Sequence, residues 1–179
     1  VEDVTRILNP IMIPNVNELD EVVVKASKRR SQSDLEEDYA INKNIIRTAY
    51  GYIDGARAAG HVRMLNEDQI NPVNLCILNL LQNRFPGVTV RGDCFSAAGG
   101  VVFIRGLNSI ANNRPAVFDV DGQIFDQTPV WLDVNNIKRL AIFNNLAMTA
   151  RYGGLGFGGV VVINTLNGNP GINKVVDRA

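Results

Sequence analysis

The sequence predicts an α+β domain in which a small mixed β-sheet carries short flanking helices and long loops. Two observations carry this prediction. From residue 45 onward, short apolar and β-branched runs recur between turn-forming residues, as strands do. Between these runs lie stretches rich in helix formers, one of which ends at a Pro-Gly pair. With 179 residues, the chain fits one domain, or one domain with a tail, and can bury a sizeable core.

The first predicted elements lie between residues 45 and 86. The runs IIRTAYGYI (45–53) and HVRML (61–65) favour strands around a connection that contains Gly and Ala. Asn71 and Pro72 then open a helix, and Pro86 ends it because proline lacks the amide hydrogen that a helix interior uses. One side of this helix carries Leu75, Leu78 and Leu81 or Gln82.

The second half of the chain supplies a series of predicted strands. The apolar runs VTV (88–90), VVFIR (101–105) and AVFDV (116–120) favour strands. After Val134, the segment NNIKRLAIF alternates apolar with polar or small residues, and we interpret it as a further strand.

A glycine-rich stretch near the end, RYGGLGFGGVVVINT (151–165), contains the G-x-G-x-x-G spacing of dinucleotide-binding loops at Gly154, Gly156 and Gly159. A phosphate-binding loop of that kind follows a strand and opens a helix. Here the order is reversed, because the helix formers LAMTARY precede the glycines and the β-branched run Val160–Ile163 follows them. The stretch therefore predicts a flexible turn that leads into a core strand.

The segment DVDGQIFDQ resembles a calcium-binding loop through Asp119, Asp121 and Asp126. Its glycine stands at the fourth position instead of the sixth, and Val130 occupies the position where such loops carry Glu. The pair Asp121-Gly122 instead predicts a tight turn between two strands.

Charge and residue content exclude several classes of function. Eighteen basic residues balance eighteen acidic ones, so the sequence predicts no nucleic-acid partner. No nucleophile has a base beside it, and the one histidine, His61, has no metal-ligand set around it. We therefore expect no enzymatic activity, no metal and no cofactor.

The two cysteines, Cys76 and Cys94, leave two interpretations open. Oxidised, they would close a loop that stabilises the fold by roughly 3 kcal/mol and indicates an exported protein. Two buried free thiols fit equally well. No apolar run approaches the ~18 residues of a membrane-spanning helix. The chain begins at Val1 without an initiator Met or a signal-peptide pattern, which we interpret as processing or excision from a longer chain.

Residues 1–45 differ in composition from the rest of the chain, because they are polar, charged and without periodicity. We interpret them as a flexible, solvated segment, including the basic run that ends at Arg30 and the acidic residues Asp34 to Asp38. The exception is LDEVVVKAS (19–27), which has strand propensity but no adjacent turn or partner strand. Such a segment is either a candidate for addition to another protein's sheet or an edge strand of this domain.

The order of these landmarks resembles the plug domain of TonB-dependent outer-membrane transporters, in the starch-utilisation-like branch that imports glycans and oligopeptides with a surface lipoprotein. The resemblance covers roughly residues 19 to 167. It rests on DEVVVKA, LLQNRFPGVTV, VVFIRGLNSIANNRPAVFDVDG and NNIKRLAIFNNLAMTARYGGLGFGGVVVINT, and within them on Leu81, Gln82, Pro86, Gly87, Val88, Ile104, Arg105, Gly106, Val120, Asp121, Gly122, Tyr152, Gly153, Gly159 and Val160.

The resemblance implies a TonB box near the start of the chain. In the family this segment pairs edge to edge with a strand of the TonB periplasmic domain, and such pairing needs little side-chain specificity. The matching residues here are Asp20, Glu21, Val22, Val23, Val24, Lys25 and Ala26.

The resemblance also implies a domain organisation and a location. Residues 1–45 would be a flexible segment with the TonB box, residues 46–168 the plug, and residues 169–179 a tail. The plug would lie inside an outer-membrane β-barrel that this chain does not contain, occlude it, and couple nutrient uptake to TonB. The expected partners are TonB, the barrel and a surface substrate-binding lipoprotein. The plug-motif residues expected to contact the barrel are Ile104, Arg105, Gly106, Val120, Asp121, Gly122, Tyr152 and Gly153. The alternative is a free-standing plug-like interaction module in the periplasm or at the outer membrane.

One segment departs from the family pattern. Between residues 136 and 145 the family carries acidic residues, whereas this chain has Lys138 and Arg139. If those charges seat a plug against its barrel, this reversal of sign predicts a different seating.

Overall fold

A computed structural model describes residues 30–60, 62–70, 76–96, 99–104 and 114–168. Within these ranges the chain forms three α-helices, which are α1 (Gln32–Asp38), α2 (Ile77–Arg84) and α3 (Leu146–Thr149). The strands are β1 (Ile45–Thr48), β2 (Gly51–Asp54), β3 (Arg63–Asn66), β4 (Thr89–Gly92), β5 (Gly100–Phe103), β6 (Val117–Val120), β7 (Gln123–Phe125), β8 (Ile137–Phe143) and β9 (Val160–Thr165). This is the α+β architecture with small sheets that the sequence predicts.

A five-stranded mixed sheet forms the centre, in the order β3-β8-β9-β6-β7. Strand β9 pairs parallel with β6 and antiparallel with β8, and the other pairings in this sheet are antiparallel. Every residue of β9 is buried, and four consecutive β-branched residues, Val160–Ile163, form most of the strand. Two hairpins, β1–β2 and β4–β5, lie outside this sheet.

The central sheet buries both of its faces. On one face, the apolar side of α2 and the β4–β5 hairpin pack against Phe118, Leu140 and Ile163. A disulfide between Cys76, the residue before α2, and Cys94, in the loop between β4 and β5, links the helix to the hairpin. On the other face, residues of β1, β2 and α3 pack against Phe143 and Val162. This second face carries the N-terminal part of the described chain.

Several predicted elements are confirmed. Strand β8 forms where the alternating segment after Val134 predicts it, and β9 forms in the β-branched run. The pair Asp121-Gly122 makes the tight turn between β6 and β7, with φ of 50° and 88° at the two residues, as two-residue hairpin turns require. Residues 71–75, where the sequence predicts that α2 opens, lie outside the described ranges.

Other elements differ from the prediction. Residues 45–53 form a hairpin instead of one strand, because Gly51 adopts φ of 103° beside the turn. The glycine-rich stretch is not simply a flexible turn, since Ala150–Gly158 forms a 3-10 helix with a kink at Gly153, where φ is 56°. The sequence also places residues up to 45 in a flexible segment, whereas α1 has a capping box at Ser31 and buries Leu35.

Candidate functional site

A layer of polar side chains lies buried between the central sheet and the β1–β2 hairpin. Neighbouring strands β8, β9 and β6 each contribute one residue to it, and these are Arg139, Asn164 and Asp119, which are 3%, 0% and 0% exposed. All three lie on the sheet face that also carries Val162 and Phe143. Because buried polar groups are costly unless they are hydrogen-bonded, the partners of these three residues define what the layer does.

Asp119 holds together three separate parts of the fold. Its carboxylate accepts hydrogen bonds from the Tyr152 hydroxyl at 2.6 Å, the Ala49 amide at 2.7 Å and the Gly122 amide at 3.0 Å. Burial raises the pKa of Asp119 above its usual value, and these hydrogen bonds oppose that shift. Burial and the nearby Asp119 carboxylate raise the pKa of Tyr152 strongly, so its hydroxyl remains a donor.

The Asn164 side chain joins the hairpin to the sheet through the two hydrogen bonds that a neighbouring strand would otherwise make. Its amide group donates to the Arg47 carbonyl at 2.9 Å and accepts from the Arg47 amide at 2.9 Å. The Tyr39 hydroxyl donates to the same side-chain oxygen at 3.1 Å. One buried side chain therefore satisfies both backbone groups of Arg47 on the edge of β1 that faces away from β2.

Arg139 is a buried cation that is balanced by carbonyl oxygens and an aromatic ring. Its guanidinium donates to the Tyr39 carbonyl at 2.8 Å and to the Ile45 carbonyl, and its centre lies 4.4 Å from the centroid of the Tyr39 ring. Burial lowers the pKa of Arg139. Burial has the opposite effect on an acid, and it raises the pKa of Tyr39 to about 12. Arg139 thus fixes the end of α1 and the start of β1 on the sheet.

Comparisons of the whole chain with known proteins indicate what it is similar to. No protein-family model matches the chain. The TonB-dependent receptor SusC of Bacteroides thetaiotaomicron is 24% identical over 148 residues, which cover 76% of this chain and 15% of the receptor. The structure of the RagAB peptide importer in its open-open state aligns with a TM-score of 0.53 at 22% identity, over 64% of this chain and 13% of that chain. This chain has the plug-domain fold of TonB-dependent receptors.

The siderophore receptor PirA from Acinetobacter baumannii is a further match, with a TM-score of 0.44 and 24% identity over 58% of this chain and 17% of that one. The chain spans about 15% of the length of the curated relative that it matches. In the described parts of the plug domain, no helix is long and apolar enough to cross a membrane. The same parts contain no group of acidic, His or Cys side chains arranged to hold a metal ion.

Of the six plug-motif residues that the structure describes, three are buried. The side chains of Ile104, Val120 and Tyr152 are buried within the plug domain. The Asp121 carboxylate accepts hydrogen bonds from the Thr165 hydroxyl at 2.6 Å and the Thr165 amide at 3.0 Å, which fixes the β6–β7 turn to the end of β9. These residues hold the central sheet together.

Other predicted site residues lie apart from this network or outside the described ranges. Gly153 marks the kink in the 3-10 helix, and an added Cβ there would meet no atom within 4 Å. Arg105, Gly106 and the TonB-box-like residues 20–26 lie outside the described residues.

The two basic residues at positions 138 and 139 have different surroundings. Arg139 points into the polar layer, so its charge does not lie on the outer surface of the plug domain. Lys138 is half-buried, with its ammonium 4.8 Å from the centroid of the Tyr39 ring. The expectation of a reversed outer surface therefore applies at most to Lys138.

The sequence alone does not bring the three central residues of the polar layer together. Asp119 is predicted there only in a loop that resembles a calcium site, Arg139 only as a charge that departs from the family pattern, and Asn164 is not singled out. The signal for two of them is a polar residue that interrupts or directly follows an apolar run in a strand, Asp119 in VFDV and Asn164 in VVVINT. A polar residue that interrupts a buried strand requires a buried partner.

Proposed function

We propose that this plug domain occludes the barrel of a TonB-dependent outer-membrane nutrient transporter and couples uptake to TonB through residues 20–26. The observation that carries the proposal is the match to a TonB-dependent receptor over 76% of the chain, together with the plug fold. The sequence adds DEVVVKA, with three consecutive valines, at the position where the resemblance places the TonB box.

The connectivity of the domain supports this coupling. Residues 20–26 precede α1, which starts at Gln32, and α1 leads directly into the β1–β2 hairpin. A pull on this segment would act first on α1 and the hairpin. Both are held to the central sheet by Arg139, Asn164 and Asp119. The hydrogen bonds of the polar layer would therefore resist a force applied to residues 20–26.

The proposal extends to substrate and partners. One of the matching structures is a peptide importer, and the sequence motifs resemble the branch that imports glycans and oligopeptides. We propose an oligomeric nutrient of this kind as the substrate, with a surface lipoprotein as a partner at the outer membrane. We also propose that the domain is not an enzyme. A dinucleotide titration without any heat or fluorescence change would exclude an enzyme that uses the glycine-rich stretch 151–165.

The test of TonB coupling is a pull-down with the periplasmic domain of TonB. The full 179-residue chain should retain TonB, and a variant that lacks Asp20–Ala26 should lose it. A deletion of equal length, residues 2–8, is the control and should bind as the full chain does. Equal retention of TonB by the box deletion and by the full chain would contradict the assignment of residues 20–26.

A further inference from the structure

A groove of about 400 Å³ lies between α1 and α3, along the edge of β2 that faces away from β1. Apolar side chains line both of its walls. On one face of the hairpin, Leu35 of α1 packs in a cluster with Tyr52, and on the other face Met148 of α3 packs in a cluster with Ile53. Because successive side chains of a strand point to opposite faces, a chain beside β2 would meet hydrocarbon on both sides.

At Tyr52, one side chain covers the strand edge in this groove. The exposed Gln32 amide accepts from the Tyr52 amide at 2.8 Å and donates to the Tyr52 carbonyl at 3.1 Å. These are the two hydrogen bonds that a neighbouring antiparallel strand would make with Tyr52. On the opposite edge of the same hairpin, Asn164 makes the equivalent pair with Arg47, but Asn164 is fully buried. An arriving strand can replace Gln32, because it would make the same two bonds and leave the released amide in water.

The electrostatics of the groove favour an acidic occupant. Arg30, Arg57 and Arg151 line it, with Asp54 as the acidic member of the lining. The Arg30 guanidinium donates to the Asp38 carboxylate at 2.7 Å, whereas Nε of Arg57 lies 3.9 Å from the Asp54 carboxylate and half of the Arg57 side chain is exposed. Arg151 is exposed and makes no ion pair within the described part of the chain. Arg57 and Arg151 are therefore available to the carboxylates of a bound molecule.

We propose that this groove is a docking site for an extended, acidic segment of a partner protein, which adds to the hairpin as a third strand beside β2. Each property of the segment follows from a feature of the groove. An extended backbone replaces the two hydrogen bonds of Gln32, and apolar side chains cover the walls. Arg57 follows β2 and Arg151 lies in the 3-10 helix, so together they bind two carboxylates. Acidic side chains within a chain provide two carboxylates, whereas a peptide C-terminus provides one.

In this strand addition, the backbone and the side chains have separate roles. The backbone hydrogen bonds to Tyr52 accept any extended sequence, whereas Arg57 and Arg151 select acidic ones. The groove is formed by residues between 30 and 151 and does not include residues 20–26. Docking therefore does not depend on the proposed coupling to TonB.

The experiment is isothermal titration calorimetry of the 179-residue chain with a synthetic probe at physiological salt. The probe is a peptide of about eight residues that alternates glutamate and valine and has acetylated and amidated ends. We expect saturable binding of this probe. Arg57→Glu combined with Arg151→Glu should weaken the binding at least about tenfold, because two charge-assisted contacts become repulsive. Lys43→Glu combined with Arg91→Glu makes the same change in net charge outside the groove and should have little effect.

Strand addition is tested separately from charge. Gln32→Ala removes the amide that the probe displaces, so the probe should bind about twofold more tightly. Gln69→Ala is the matched control, because this exposed glutamine also bonds a backbone amide but lies outside the groove. A probe that is N-methylated at its amides cannot donate to the Tyr52 carbonyl and should not bind.

The outcomes decide between the possible occupants of the groove. Absence of saturable binding, or equal losses in the two double variants, would overturn the proposal. Binding that requires a free peptide C-terminus would also overturn it, because the occupant would then be a free oligopeptide. Self-association of the chain that the probe reverses would assign the groove to a second copy instead. A lysine–valine probe that binds as tightly as the glutamate–valine probe would contradict the selection of acidic partners.

Discussion

The two faces of the central sheet are held by different physical means. On the face covered by α2, buried side chains such as Leu80 and Phe118 are apolar, and a disulfide between Cys76 and Cys94 adds a covalent constraint. On the face covered by the β1–β2 hairpin, apolar contacts are interrupted by Asp119, Asn164 and Arg139 and their hydrogen bonds. Apolar packing is non-directional and tolerates small shifts, whereas hydrogen bonds are made or lost within a short distance. Directional hydrogen bonds thus fix the position of the hairpin on the sheet, which apolar packing alone specifies less strictly.

The largest loss of stability is expected when the hydrogen bonds of the polar face are removed. Asp119→Ala removes the acceptor for Tyr152, Ala49 and Gly122 and leaves their donors buried. Because each unsatisfied buried donor costs about 1–3 kcal/mol, we expect a loss of about 4 kcal/mol in the free energy of unfolding, measured by urea denaturation. Asp126→Ala, at an exposed carboxylate, is the control and should change the stability little. A loss below about 1 kcal/mol in Asp119→Ala would show that the layer does not hold the hairpin.

A break in the opposite face should cost somewhat less. Replacing both cysteines, Cys76→Ser with Cys94→Ser, opens a loop with a sequence separation of 18 residues. We expect a decrease of about 3 kcal/mol in the free energy of unfolding. Titration of free thiols in the unfolded, unreduced chain provides the direct check. Two reactive thiols in that titration would contradict the disulfide.

A side-chain amide caps each edge of the β1–β2 hairpin, so buried and exposed hydrogen bonds of the same kind can be compared. Asn164→Ala and Gln32→Ala each remove an amide that makes two backbone hydrogen bonds, but only Asn164 is buried. We expect a loss of about 2–3 kcal/mol for Asn164→Ala and about 0.5 kcal/mol for Gln32→Ala, because water replaces the amide at the exposed edge. Equal losses in the two urea titrations would mean that burial does not distinguish the edges.

The smallest expected effect is a pH dependence of the polar face. Burial raises the pKa of Asp119 in the folded chain, so the folded state binds more protons than the unfolded state between the unfolded value and the raised one. The contribution of Asp119 to stability therefore increases as the pH falls through the raised pKa and is lost again as the pH rises. Urea titrations at several pH values should show the unmodified chain gaining stability relative to Asp119→Asn on acidification. A constant difference between the two chains would contradict the shift.

Local elements can be predicted from the sequence, whereas the polar contacts between distant segments cannot. The turn at Asp121-Gly122 follows from residues that tolerate positive φ, and β9 follows from its β-branched run, so neither depends on distant partners. Helix α1 has seven residues, which is too short to be stable by propensity. Its position depends on contacts of Tyr39 with Arg139 and Asn164, which lie 100 and 125 residues away along the chain. No local pattern encodes such a contact.

The order of the strands has a consequence for folding. Strand β9 lies in the middle of the sheet, yet it is the last strand of the described chain. Until residue 165 has been synthesised, β8 and β6 each lack the neighbour that joins them, and the earlier strands cannot form one sheet. Pairings between distant segments form slowly, because the entropy cost of closing the loop comes before the contacts that stabilise it. Formation of the five-stranded sheet therefore awaits β9, although the other four strands precede it in the sequence.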